Sequence, residues 1–171
     1  MRAKVVCHVC VMTDQYRSAM LDLANLTASR RSLMGVLARA SSIRLAACFE
    51  ALVDIPTCED LRTPQTGLVM LRGRIAGSGA PFNLGEASVT RAAVRLSSGE
   101  TGHSYILGRD AQKARKAAII DALFQCEAWR PRIEALVLQP LRQEQMAQDA
   151  KTETETAKTR VDFFTLVRGD P

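Results

Sequence analysis

The apolar residues of this chain change period twice, and each change marks a boundary between elements. In "ASRRSLMGVLARA", Leu33, Met34, Leu37 and Ala40 share one face of a helix, with Ser29 as its N-cap. "SSIRLAACFEALV" repeats that pattern, with Ser41 or Ser42 as cap and "DIP" as stop, so two short antiparallel helices are expected. After Pro64 the period falls to two. "TGLVMLRGRIAG", "SVTRAAVRLSSG" and "TGHSYILGRD" alternate or run apolar between glycine-bearing turns, as strands do. "SSGE" at 97–100 is a hairpin turn, which pairs the second and third runs antiparallel.

The helical period then returns. Asp110 caps "AQKARKAAIIDALFQCEAW", which carries Ala114, Ala117, Ala118, Ala122 and Leu123 on one face. Pro131 and Pro140 punctuate further helical pieces. Residues 141–160 are polar nearly all round, the mark of a solvated arm or of a helix that a partner stabilises. Helices, then antiparallel strands, then helices is an α+β order: a central sheet of about three to four strands, an N-terminal helical hairpin and C-terminal helices. Crossover helices do not separate the strands, which argues against a doubly wound parallel sheet.

Residues 1–28 hold no sustained period and read as an irregular extension, leaving 29–171 as a single domain. The end of the chain is unexpectedly apolar. In "VDFFTLVRGDP", Phe163, Phe164 and Leu166, with Arg168 beside them, follow the polar arm, so 161–171 reads as a docking tail for the sheet or for another subunit.

Composition changes this picture little. The formal charge of +5 favours anionic partners only weakly, and no charge run or basic–aromatic interleaving points to nucleic acid. No apolar stretch approaches the ~20 residues of a membrane span. The apolar run near the start is broken by His8 and ended by Asp14, without a small-residue cleavage site, so a cytoplasmic protein is expected. Five irregularly spaced cysteines suit reduced thiols, and Cys48, Cys58 and Cys126 read as small buried apolar residues.

The stretch most suggestive of chemistry is "GRIAGSGAPFNLGEASVTR", residues 73–91. It fails the P-loop pattern. It also fails G-x-G-x-x-G, because Phe82 stands where the third glycine belongs, and a strand follows where a helix N-terminus is needed. Two readings remain. Gly77 and Gly79 either allow a tight bend, or form an anion nest flanked by Arg72, Arg74 and Arg91. His103 shares a strand face with Tyr105, and only tertiary contact with Glu86 or Asp110 would orient it as a base. Cys7-His8-Val9-Cys10 lacks the further ligands that zinc needs and the helix-head setting of a redox dithiol. These patterns name no catalytic residue and no metal site. On composition and the glycine loop alone, a stand-alone anion- or nucleotide-binding module stays open.

Several stretches in order are more specific. "RRSLMGVLARA", "PQTGLVMLRGRIAGSGAPFNLGEASVTRAAVRL", "GHSYILGRD", "IIDAL" and "RVDFFTLVRGD" resemble the PhnG family, a subunit of the bacterial carbon–phosphorus lyase core complex, across about residues 29–170. The family pattern often has E-T-G and G-G-x-G where this chain has Gln65 and Ala76, so an acid at 65 and a glycine at 76 are dispensable. The resemblance implies a subunit that works with PhnH-, PhnI- and PhnJ-type partners in phosphonate catabolism. That system joins a methylphosphonate-type substrate to C1 of the ribose of ATP, with magnesium, and releases adenine. A different subunit, carrying S-adenosylmethionine and an iron–sulfur cluster, then breaks the carbon–phosphorus bond. For this chain the resemblance implies a scaffold or interface role, with no cofactor of its own. Arg72, Arg74, Gly77, Gly79, Arg91 and His103 are the candidates for substrate contact, and Phe163, Phe164, Leu166 and Arg168 for the partner interface.

Overall fold

The computed structural model describes residues 8–75 and 78–160. Helix α1 spans His8–Arg39, so the segment expected to be irregular up to residue 28 is helical from His8 onward. Ser29 lies inside this helix and does not cap it. No proline and a single glycine, Gly35, occur between His8 and Arg39, so a helix nucleated at the buried stripe propagates backward without a regular apolar period. Of the expected stripe, Leu33, Leu37 and Ala40 are buried and Met34 is half-buried, while Val36, which the stripe did not include, is buried with them. Helix α2 (Ser42–Glu50) is capped by Ser41, whose hydroxyl accepts from Arg44 N–H at 3.2 Å. Both helices pack on a common neighbour, α3.

Three antiparallel strands follow in the order β1-β2-β3: β1 (Cys58–Arg74), β2 (Pro81–Leu96) and β3 (Thr101–Leu107). The 97–100 hairpin forms as expected, with Gly99 at φ +106°, a backbone conformation that favours glycine, and its N–H bonded to Leu96 O at 2.9 Å. β1 starts six residues before Pro64, where only the stretch beyond the proline reads as a strand. Two features accommodate the ring. β1 lies at the edge of the sheet, and its register against β2 slips between Asp60 and Arg62 and again between Arg62 and Gln65. The early part of β1 is tied to the helical layer by Arg115, whose guanidinium holds Asp60 at 2.9 Å.

Helix α3 (Ala111–Gln125) covers one face of the sheet and touches all three strands. Its five expected face residues are all buried. The approach to β3 is close: a Cβ on Gly102 would lie 2.0 Å from Ala118 O and 2.5 Å from Ala122 N. Asp110 caps the helix by accepting from Lys113 N–H at 2.8 Å and also receives the Ser42 hydroxyl, which joins the N-termini of α2 and α3. These donors, the Ser42 hydroxyl first, hold the Asp110 carboxyl below its ordinary value.

Beyond Trp129 the chain is helical to Lys158. α4 (Arg130–Ile133) has Pro131 in its first turn, and α5 (Gln139–Lys158) has Pro140 in its own. Between them, Glu134–Leu138 form a widened π turn in which Gln139 N–H reaches Glu134 O. This turn absorbs Pro140, which has no N–H to give and whose ring crowds the carbonyl four residues back. Ile133, Val137, Leu138 and Leu141 close the core. The expected polar arm is the remainder of α5. Its first half is fixed to α1 and α2 by Gln145 to Val36 O at 2.8 Å and by Arg44–Glu144 at 2.7 Å, and every residue from 150 to 160 is exposed. The expected docking tail, 161–171, lies outside the described residues.

Two stability outcomes follow from the α3 layer. Gly102→Ala forces α3 off the sheet and is expected to cost about 2–3 kcal/mol in urea unfolding, as overpacking of a closed contact does. Asp110→Ala removes a cap and is expected to cost about 1 kcal/mol at pH 7. Because the folded carboxyl is held low, its contribution is complete above the ordinary aspartate range near ~3.9 and fades as pH falls through the folded value. The gap between Asp110→Ala and the natural chain should therefore narrow in unfolding curves taken at about pH 3.

Candidate functional site

Alternation along β2 and β3 divides the sheet into two faces. Ala92, Val94 and Leu96, with Gly102, Ser104 and Ile106, lie buried on the face that α3 covers. The other face carries Arg91, Ala93 and Arg95 from β2 and Thr101, His103 and Tyr105 from β3. Cross-strand register orders these residues. Arg91 stands between Gln65 of β1 and Tyr105 of β3, and the next row runs Arg62, Ala93, His103. Arg91 and His103 are therefore diagonal neighbours, and both border a shallow hollow of about 500 Å³ that Arg62 and Tyr105 also line. Among the described residues, Arg62, Arg91 and Arg95 make no ion pair or hydrogen bond through their guanidinium groups.

The remaining glycine-loop candidates are elsewhere. Arg72 pairs with Asn83, seven residues along β1 from the partner of Arg91, which is about 23 Å of strand. Arg74 pairs with Pro81 and donates to Gly79 O at 3.1 Å, closing the bend. Gly79 donates its own N–H to Ile75 O at 3.1 Å, and a Cβ there would stand only 3.0 Å from that oxygen. Gly77 lies outside the described residues. The arginines thus do not surround one nest: Arg91 and His103 meet at the base of the hairpin, while Arg72, Arg74 and Gly79 belong to its far end.

His103 gains no acidic orienter from the two carboxylates considered for it. Asp110 is engaged with Ser42 and Lys113, and Glu86 sits opposite Met70 on the hairpin. The group that does reach this residue is Asp121 of α3, and it takes the backbone N–H at 2.9 Å. Asp121 is 1% exposed and is gripped by Arg30 of α1 through two hydrogen bonds of 3.0 and 2.7 Å. The bond with Asp121 raises the pKa of Arg30 further above its already high value. This is a structural clamp joining α1, α3 and β3. Its signal in the sequence is a lone carboxylate inside the apolar run "IIDALF", which amphipathic reading passes over.

Cys48 is buried, and burial pushes its thiol up, as it does for the half-buried Cys126. Cys58 is also half-buried. The Cys7–Cys10 motif includes Cys7, which lies outside the described residues. Among the described residues, no group of three or more His, Cys, Asp or Glu side chains converges, and no helix is long and apolar enough to cross a membrane. The arrangement offers cationic and hydrogen-bonding groups on an open sheet face, suited to holding an anion or a partner surface.

Relatives give this architecture a context. The family model described as "Phosphonate metabolism protein PhnG" matches residues 28–169. The alpha-D-ribose 1-methylphosphonate 5-triphosphate synthase subunit PhnG of Rhizobium meliloti (strain 1021) is 53% identical over 143 residues, covering 84% of this chain and 91% of that protein. The family match begins just ahead of the buried stripe of α1 and takes in α2, the sheet, α3 and the polar arm, leaving the first part of α1 outside it. The chain belongs to the PhnG family of phosphonate metabolism proteins.

Proposed function

We propose that this chain is a subunit of an alpha-D-ribose 1-methylphosphonate 5-triphosphate synthase and acts in it as a scaffold. The observation that carries the reading is the 53% identity to a protein of that name over nearly its whole length. The name of that relative's product is consistent with the following chemistry. An oxygen of methylphosphonate forms a bond to C1 of the ribose of ATP, the bond from C1 to adenine N9 breaks, and adenine leaves with a proton. ATP enters with magnesium. PhnH-, PhnI- and PhnJ-type subunits are the partners in this proposal. One of them carries S-adenosylmethionine and an iron–sulfur cluster for the later cleavage of the carbon–phosphorus bond. The site belongs mainly to those neighbours, and the one-sided packing of this chain supports a structural role: helices cover one face of the sheet and leave the other, with its cationic side chains, uncovered among the described residues.

A second reading draws on the guanidinium of Arg91, unpaired among the described residues and diagonal to His103. In it the open face contacts the triphosphate directly. Adenine release by the reconstituted complex separates the two. Omitting this chain should abolish release under both readings. Arg91→Ala with His103→Ala, in a complex of normal composition, should keep release within about twofold if the role is structural. A loss of about tenfold or more, the size of a missing charge-assisted hydrogen bond, would instead place these side chains on the substrate.

A further inference from the structure

Two register slips in β1 bracket Arg62. Asp60 stands opposite Val94, and in that register Arg62 would stand opposite Ala92, in a row that α3 covers. The first slip, at Leu61, sets Arg62 opposite Ala93 instead, and the second, between Arg62 and Gln65, spans Pro64. Irregularities of this kind re-aim a side chain. Here they bring Arg62 into the row of Ala93 and His103 on the open face, one row from Arg91 and Tyr105.

The result is a concentration of positive charge that the fold does not use. Arg62 and Arg91 are both exposed and border the same hollow of about 500 Å³. Neither guanidinium has an ion pair or hydrogen bond among the described residues. His103 and Tyr105 add an imidazole and a phenol, and no carboxylate among the described residues lines the hollow. Like charges on neighbouring strands repel. Where the chain uses arginines to join its elements it neutralises them: Arg30 with Asp121, Arg44 with Glu144 and Arg115 with Asp60. Ala93, between Arg62 and His103, leaves the middle of the row without a long side chain.

We propose that this hollow binds a small phosphorus oxyanion, a phosphonate or phosphate group held by Arg62 and Arg91 together. Planar guanidinium groups present paired donors that match such oxygens, and His103 and Tyr105 supply further donors. Leu61 and Ala93 give a short apolar substituent a surface to lie on. Methylphosphonate, inorganic phosphate and the terminal phosphate of ATP all present this chemistry. The inference goes beyond both readings above, because an anion can be held here whether or not adenine release depends on it.

Calorimetry on the full chain with methylphosphonate, inorganic phosphate and ATP in turn tests it, and the tightest of the three identifies the source of the oxyanion. At least one should bind saturably. Arg62→Gln or Arg91→Gln should weaken that binding about tenfold or more, the size of a lost charge-assisted hydrogen bond. Arg62→Lys keeps the charge but not the paired donors and should fall in between. Arg72→Gln, at the far end of the hairpin, should bind as the natural chain does. Amide shifts of the natural chain cover the case of a variant that does not fold: the same probe should move the amides of residues 62, 91 and 103 and leave 72–74 in place. Absence of saturable binding by all three probes overturns the proposal. So do Arg62 and Arg91 variants that bind undiminished, or an equal loss in Arg72→Gln, which marks diffuse charge attraction.

Discussion

Gly102 lets α3 lie against β3 with no side chain between them, and the rest of the molecule is arranged around that contact. A single added methyl group would reach the carbonyl of Ala118 and the amide of Ala122. The alanines at 114, 118 and 122 make the matching approach from the helix side. At this separation Asp121 reaches past the apolar layer to the backbone N–H of His103, and Arg30 of α1 supplies the charge that a buried carboxylate requires. One close helix–strand contact thereby fixes the position of α1, the edge of β3 and the direction in which the sheet stays open.

The local grammar of the chain was readable in advance where a single residue dictates a single geometry. Asp110 and Ser41 cap the helices assigned to them, Gly99 takes the left-handed conformation of its turn, and the alanine face of α3 is buried. Elements set by tertiary context were not. Pro64 looks like the start of strand structure, yet β1 runs through it, because an edge strand with slipped register can spare an N–H. The absence of an apolar period before residue 28 suggested irregular structure, but a helix already nucleated needs no period to continue. For the site, alternation placed His103 and Tyr105 on one face correctly. The grouping of Arg72 and Arg74 with Arg91 did not survive, because an extended hairpin carries residues apart that are near in sequence. Asp121 and Arg62 were missed for related reasons, the first hidden in an apolar run and the second in a stretch not read as strand.

The functional picture has the same division. One face of the sheet is occupied with making the fold, and Arg62, Arg91 and Arg95 lie on the other. Membership of the PhnG family gives those surfaces a reason, since a subunit of an assembly needs a stable inner layer and an outer one that is complementary to neighbours. The polar arm fits that economy as well. α5 is held to α1 and α2 over its first half and is exposed from Ala150 onward.

α3 and the sheet beneath it hold the buried core, whereas the hairpin beyond Val89 is largely exposed. Amide hydrogen exchange on the free chain tests this most directly. The account predicts strong protection of residues 89–125, with fast exchange at 68–74 and 81–88. Protection of those hairpin amides equal to that of α3, or loss of protection across α3, would contradict it.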